Sequence, residues 1–71
     1  SNPESSEVQL ALASAYEGAG RAADIQKAAE FVLARSTSQS MLAEATFALG
    51  RSLYLQGDFE GALSNFEAVL N

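Results

Sequence analysis

The sequence predicts an all-α fold built from two antiparallel helix pairs, and three observations carry that prediction. The chain of 71 residues nearly repeats itself at an offset of 37: Leu12-Ala13-Ser14-Ala15-Tyr16 returns as Leu49-Gly50-Arg51-Ser52-Leu53. Gly20 returns as Gly57, and Glu30-x-Val32-Leu33 returns as Glu67-x-Val69-Leu70. Apolar residues recur three and four apart, and no alternating strand pattern of any length interrupts them. A repeat of this size marks a supersecondary unit that cannot bury its apolar face alone and is built to stack on a neighbour.

The first helix is predicted to start at Asn2 as N-cap, with Pro3 at the first helical position and Glu4 and Glu7 at its positive end. It runs to about Glu17, with Val8, Leu12, Ala15 and Tyr16 on its apolar side. Gly18 and Gly20 end it. The second helix runs from about Ala22 to Arg35 and sets Ile25, Ala28, Ala29, Val32 and Leu33 on one side. Ser36-Thr37-Ser38-Gln39-Ser40 reads as the linker, with hydroxyls suited to capping the next helix. The third helix spans about Ser40 to Gln56 and carries Leu42, Ala45, Leu49, Leu53 and Tyr54. Gln56-Gly57-Asp58 is a tight turn in which Asp58 caps the last helix. That helix runs from about Phe59 to Leu70 and is expected to bury Ala62, Leu63, Phe66, Val69 and Leu70. The small residues Gly50 and Ala62 are expected to let helix axes approach closely. Gly61 costs its helix about 1 kcal/mol against alanine unless something packs there.

Composition removes several function classes. Without Cys or His, disulfides are excluded, a structural zinc site has no usual ligands, and nucleophilic or acid–base catalysis loses its commonest side chains. Ser36, Ser38 and Ser40 have no evident base partner, and Gly18-x-Gly20 follows a helix rather than a strand, so it is no phosphate loop. The reading is therefore not an enzyme, with no catalytic residue, cofactor or metal. A net charge of −5, from nine acidic and four scattered basic residues, argues against nucleic acid or an anionic membrane as direct partner.

At the level of motif, the chain resembles the tetratricopeptide repeat family, whose pattern is W-x2-L-G-x2-Y, then A-x3-F, then P. The second copy reads Thr46-x2-Leu49-Gly50-x2-Leu53, then Ala62-x3-Phe66, with Gly57-Asp58-Phe59 in the turn. The first reads Gln9-x2-Leu12-Ala13-x2-Tyr16, then Ile25-x3-Ala29. Neither copy has the large aromatic at the first motif position, and the offset of 37 places extra residues in Arg35 to Ser40. The resemblance implies one unit over 1–71, with repeat one at about 4–35 and repeat two at about 40–71, stacked in a right-handed superhelix and excerpted from a longer array. A narrower resemblance, from Leu12 to Leu70, is to the tetratricopeptide scaffold subunit of the polymerase-associated factor complex, which assists elongation by RNA polymerase II. Leu12-Ala13, Ile25, Thr37, Ala43-Glu44, Leu49-x-Arg51-Ser52 and Gln56-x-Asp58-Phe59 carry it, while Gly18-Ala19 and Asn65 to Ala68 depart from it.

What the family implies is a protein–protein scaffold, nuclear if the narrower resemblance holds. The alternatives are an unrelated adaptor that binds an extended peptide and a regulatory repeat region of a larger enzyme. In the family, the first helix of each repeat lines a concave groove, which here assigns partner contact to Leu10, Ser14 and Glu17, with Glu7, and to Glu44, Phe47, Arg51 and Tyr54. Phe47, Arg51 and Tyr54 form the leading patch, because aromatic and Arg side chains dominate many interfaces. The competing reading packs Phe47 and Tyr54 against a neighbouring repeat and pairs Arg51 with an acid. With Ser14, Glu17 and Arg51 at the matching positions, the carboxylate clamp of chaperone adaptors lacks most of its positive charge. The apolar ends, Leu10 and Leu12 on one side and Ala62, Phe66, Val69 and Leu70 on the other, are expected to drive self-association or helix exchange.

Overall fold

The computed structural model describes residues 5–70, which form four helices and no strand. They are α1 (Ser6–Gly18), α2 (Ala22–Arg35), α3 (Gln39–Leu55) and α4 (Phe59–Leu70). The chain folds as two helix pairs, with α1 against α2 and α3 against α4, and α3 also lies against both α2 and α1. The all-α, helical-repeat expectation holds.

The ends of the helices show the repeat at atomic level. At the end of α1 the Arg21 N–H donates to the Tyr16 carbonyl (2.9 Å) and the Gly20 N–H to that of Glu17 (3.0 Å). At the end of α3 the Asp58 N–H donates to Leu53 (2.9 Å) and the Gly57 N–H to Tyr54 (3.0 Å). Both caps reverse the chain through a left-handed glycine, Gly20 at φ +71° and Gly57 at φ +89°, a conformation that costs other residues a clash at Cβ. The helix starts are less alike. Asp58 accepts the Gly61 N–H at 2.9 Å, whereas the matching Arg21 makes no side-chain cap. Instead Arg21 pairs with Asp24 (2.7 Å) and its guanidinium lies 5.2 Å from the centre of the Tyr16 ring. Asp58→Ala is expected to cost about 1 kcal/mol, read as a lower urea midpoint.

Several local expectations are corrected. Ser5 is extended (φ −77°, ψ 151°) and accepts the Val8 N–H at 3.2 Å, so α1 begins at Ser6 and not at Pro3. Asn2, Pro3 and Glu4 lie outside the described residues. As expected of the linker hydroxyls, Ser38 caps α3 by accepting from the Met41 N–H at 3.3 Å, so the helix begins at Gln39, one residue before the expected Ser40. Gly61 makes room for its own cap: a Cβ there would stand 2.6 Å from Asp58 Oδ2.

The core is small and runs along the α2–α3 contact. Ile25 joins Ala13 and Ala28, with Tyr16 and Ala48 against them. Ala29, Val32 and Ala45 form a second cluster, flanked by Leu10, Leu33, Met41, Ala48 and Leu49. Ala48 touches both clusters and so ties α3 to the first pair. The second pair closes around Gly50, which is buried; a Cβ there would lie 2.7 Å from Phe66 Cε1 and 3.2 Å from Asn65 Cβ. Close approach at Gly50 and burial of Ala62 are as expected.

The apolar side of α1 was misplaced. Leu12 and Ala15 are exposed, and the helix buries Ala13 instead. The reason is that α1 packs on both α2 and α3, which selects the Leu10–Ala13–Tyr16 side, about a third of a turn or more from the Leu12 stripe. Leu10 accordingly has a neighbour, the cluster beneath α3. On α4, Leu63 and Leu70 were expected inside and are 57% and 84% exposed. Ala62 and Phe66, expected both inside their pair and at the apolar end of the chain, take the first role: Ala62 is buried and Phe66 covers Gly50. A single helix face can be spent only once, and α3 takes that of Ala62.

Ser52 is the one fully buried polar residue among those described, and its hydroxyl donates to the Leu49 carbonyl at 2.7 Å. That bond stays within its own helix, so Ser52→Ala removes donor and acceptor demand together. The expected change is within about 0.5 kcal/mol by urea unfolding.

Candidate functional site

A hollow of about 380 Å³ opens between α1 and α3. Leu10, Ala13, Ser14 and Glu17 of α1 form one wall; Ala43, Glu44, Phe47 and Ala48 of α3 form the other; Val69 of α4 closes an end. Residues four apart on a helix lie one above the other, which is why Leu10, Ser14 and Glu17 line one ridge and Glu44 and Phe47 the facing one. The alanines keep the floor shallow.

Five of the eight sequence-selected residues therefore meet here: Leu10, Ser14, Glu17, Glu44 and Phe47. Arg51 sits at the margin, its Nε against the Glu17 carboxylate. That nitrogen is buried and makes no aligned hydrogen bond, so the contact is an ion pair of charge against charge rather than a directed bond. Both side chains remain about a third or more exposed, which limits its worth to roughly 0–1 kcal/mol. It nevertheless links the two repeats across the hollow and offsets the charge of Glu17. Glu44 is exposed and forms no ion pair with any described cation.

Tyr54 is not part of this cluster. It is 55% exposed, and its ring meets Phe59 edge-on at 5.2 Å, at the α3–α4 turn. Phe47 does double service: its ring lies 5.0 Å from that of Phe66, tilted by 41°, while 47% of the residue stays open to solvent. Phe47 thus lines the hollow and packs on Phe66 of its own helix pair, where the packing reading had placed it against a neighbouring repeat. Glu7 is exposed and lies outside the hollow. Sequence reasoning missed Ala13, Ala43, Ala48 and Val69; the signal available was the alternation of alanine with Glu44 and Phe47 along α3.

Among the described residues no cluster of acidic, His or Cys side chains could hold a metal ion, and no helix is long and apolar enough to cross a membrane. No family model, curated protein or solved structure matches the chain.

Proposed function

We propose that the chain is a protein–protein interaction module of the tetratricopeptide type, which holds an extended segment of a partner in the α1–α3 hollow. The supporting observation is the meeting of Leu10, Ser14, Glu17, Glu44 and Phe47 around one open cavity. Phe47 offers a half-exposed aromatic surface held in place by Phe66, and pre-positioned aromatics are frequent anchors of binding energy. Glu44 supplies a negative charge that no described cation offsets, in a chain of net charge −5. The segment that fits is short and extended, with an apolar side chain for Phe47 and a Lys or Arg for Glu44.

Selection of random peptides displayed on phage against the purified chain tests this. Basic, apolar-anchored sequences should be enriched. Phe47→Ala should weaken the selected peptides about tenfold or more, and Glu44→Lys should weaken those that carry a basic residue. Selected peptides that bind both variants as tightly as the parent would rule the hollow out as the site.

A narrower proposal, a scaffold subunit of the RNA polymerase II elongation machinery in the nucleus, is supported by the sequence resemblance alone. Affinity purification from native extract, with mass spectrometry of what co-purifies, checks it: polymerase subunits and elongation factors favour it, and chaperones or envelope proteins overturn it.

A further inference from the structure

We infer that the chain binds a second copy of itself head to tail, the outer face of α1 of one copy docking on the α3–α4 end of the next. The template is inside the molecule. The first helix pair receives α3 through Met41, Ala45, Ala48 and Leu49, which pack in one cluster with Leu10, Ala29, Val32 and Leu33. Both halves of that contact recur at the offset of 37 residues, and both recurrences are at least partly open to solvent.

The inserting half, Ala45, Ala48 and Leu49, corresponds to Val8, Ala11 and Leu12 of α1. Ala11 is exposed, Val8 is half-buried and Leu12 is 37% exposed, an apolar stripe on the side of α1 turned away from its own core. The receiving half, Leu10, Ala29, Val32 and Leu33, corresponds to Phe47, Phe66, Val69 and Leu70. Phe47 and Phe66 are in ring contact, Val69 is half-buried and Leu70 is 84% exposed. None of these seven positions carries a charge, so they pair apolar with apolar as in the internal contact; the counterpart of Met41 is the acidic Glu4, so the match covers the rest of the template and not that position.

The two faces differ, so the contact is heterologous: each copy has one inserting and one receiving end, and assembly can continue beyond a dimer. Leu10 borders the hollow while also packing under α3. Phe47, its counterpart, would do both as well, so the hollow of one copy runs on into that of the next. Phe47 and Val69 also line the hollow, so a docked copy and a bound segment share those two side chains; the variants below alter neither.

Sedimentation equilibrium of the 71-residue chain tests it. The weight-average mass should rise with loading from the 7.4 kDa monomer to beyond two chains. Leu12→Lys removes one face and Leu70→Lys the other; both positions are exposed, and lysine suits a helix interior and, still better, a helix C-terminus. Far-UV circular dichroism should show both variants as helical as the parent. Each variant alone should be monomeric at the same loading. Their equimolar mixture should form a heterodimer and stop there, because only one intact face of each kind remains. A parent chain that is monomeric at all loadings overturns the inference. So does self-association of Leu12→Lys alone, which would mean a symmetric contact, or a mixture that stays monomeric.

Discussion

Gly50→Val is expected to destabilise the fold by about 3 kcal/mol, the upper part of the range for overpacking a close helix contact. The Cβ of any larger residue starts 2.7 Å from Phe66 Cε1, well inside van der Waals contact. Moving the ring aside would disturb its contact with Phe47, 5.0 Å between centroids, and Asn65 Cβ, 3.2 Å from the same Cβ, crowds the position from α4 as well. Gly50→Ala is the more discriminating variant. An unhindered glycine inside a helix gains about 1 kcal/mol on replacement by alanine; here about 2 kcal/mol of overpacking should reverse the sign and leave a net loss near 1 kcal/mol. The matching positions of the first pair hold Ala13 and Ala29 in place of Gly50 and Phe66, so Gly50→Ala with Phe66→Ala recreates that combination. The double variant should be more stable than the sum of the two single losses by about 1 kcal/mol. Urea midpoints at constant m-value provide the measurement. A Gly50→Ala variant more stable than the parent would show that α3 and α4 do not approach as described.

Ile25→Ala is expected to cost about 3 kcal/mol, within the usual range for truncating a buried isoleucine. Ile25 is fully buried and is, with Val32, the largest apolar side chain so enclosed. It contacts Ala13 and Ala28 and is flanked by Tyr16 and Ala48, so one side chain fills the junction of α1, α2 and α3. Its neighbours are mostly alanines, which cannot extend into the space it would leave, and a cavity that does not collapse carries the higher cost. Domains of 71 residues have roughly 4–10 kcal/mol in total, at about 0.05–0.15 kcal/mol per residue. The loss is therefore a third or more of the whole, and the helical signal at 37 °C should fall visibly. Truncating exposed Leu63 should change little, and equal losses at Leu63 and Ile25 would contradict the assignment of inner and outer faces.

The helices were legible because their signals are local. Gly20 and Gly57 announce left-handed caps, Ser38 and Asp58 announce N-caps, and α2 and α4 start and stop where the sequence places them. The candidate site was legible in part. Spacing on α1 and α3 put Leu10, Ser14 and Glu17 on one ridge and Glu44 and Phe47 on another, but Tyr54 fell outside the hollow because Phe59 captured its ring.

By itself the sequence determined the number and type of the helices, most of their limits, the doubling of the unit and the absence of histidine and cysteine side chains. These depend on backbone geometry and on which side chains exist, and both are properties of a few neighbouring residues. Only the tertiary structure decided which face of each helix is inside. Helices α1 and α4 each carry apolar residues around much of their circumference, so periodicity alone allows more than one inward direction. Packing chose Ala13 over Leu12 and Ala62 over Leu63, because small residues let α1 approach α2 and α4 approach α3, and the larger ones were left facing out. The apolar ends follow from that choice: closest approach of the backbones governs burial here more than the hydrophobicity of any single side chain.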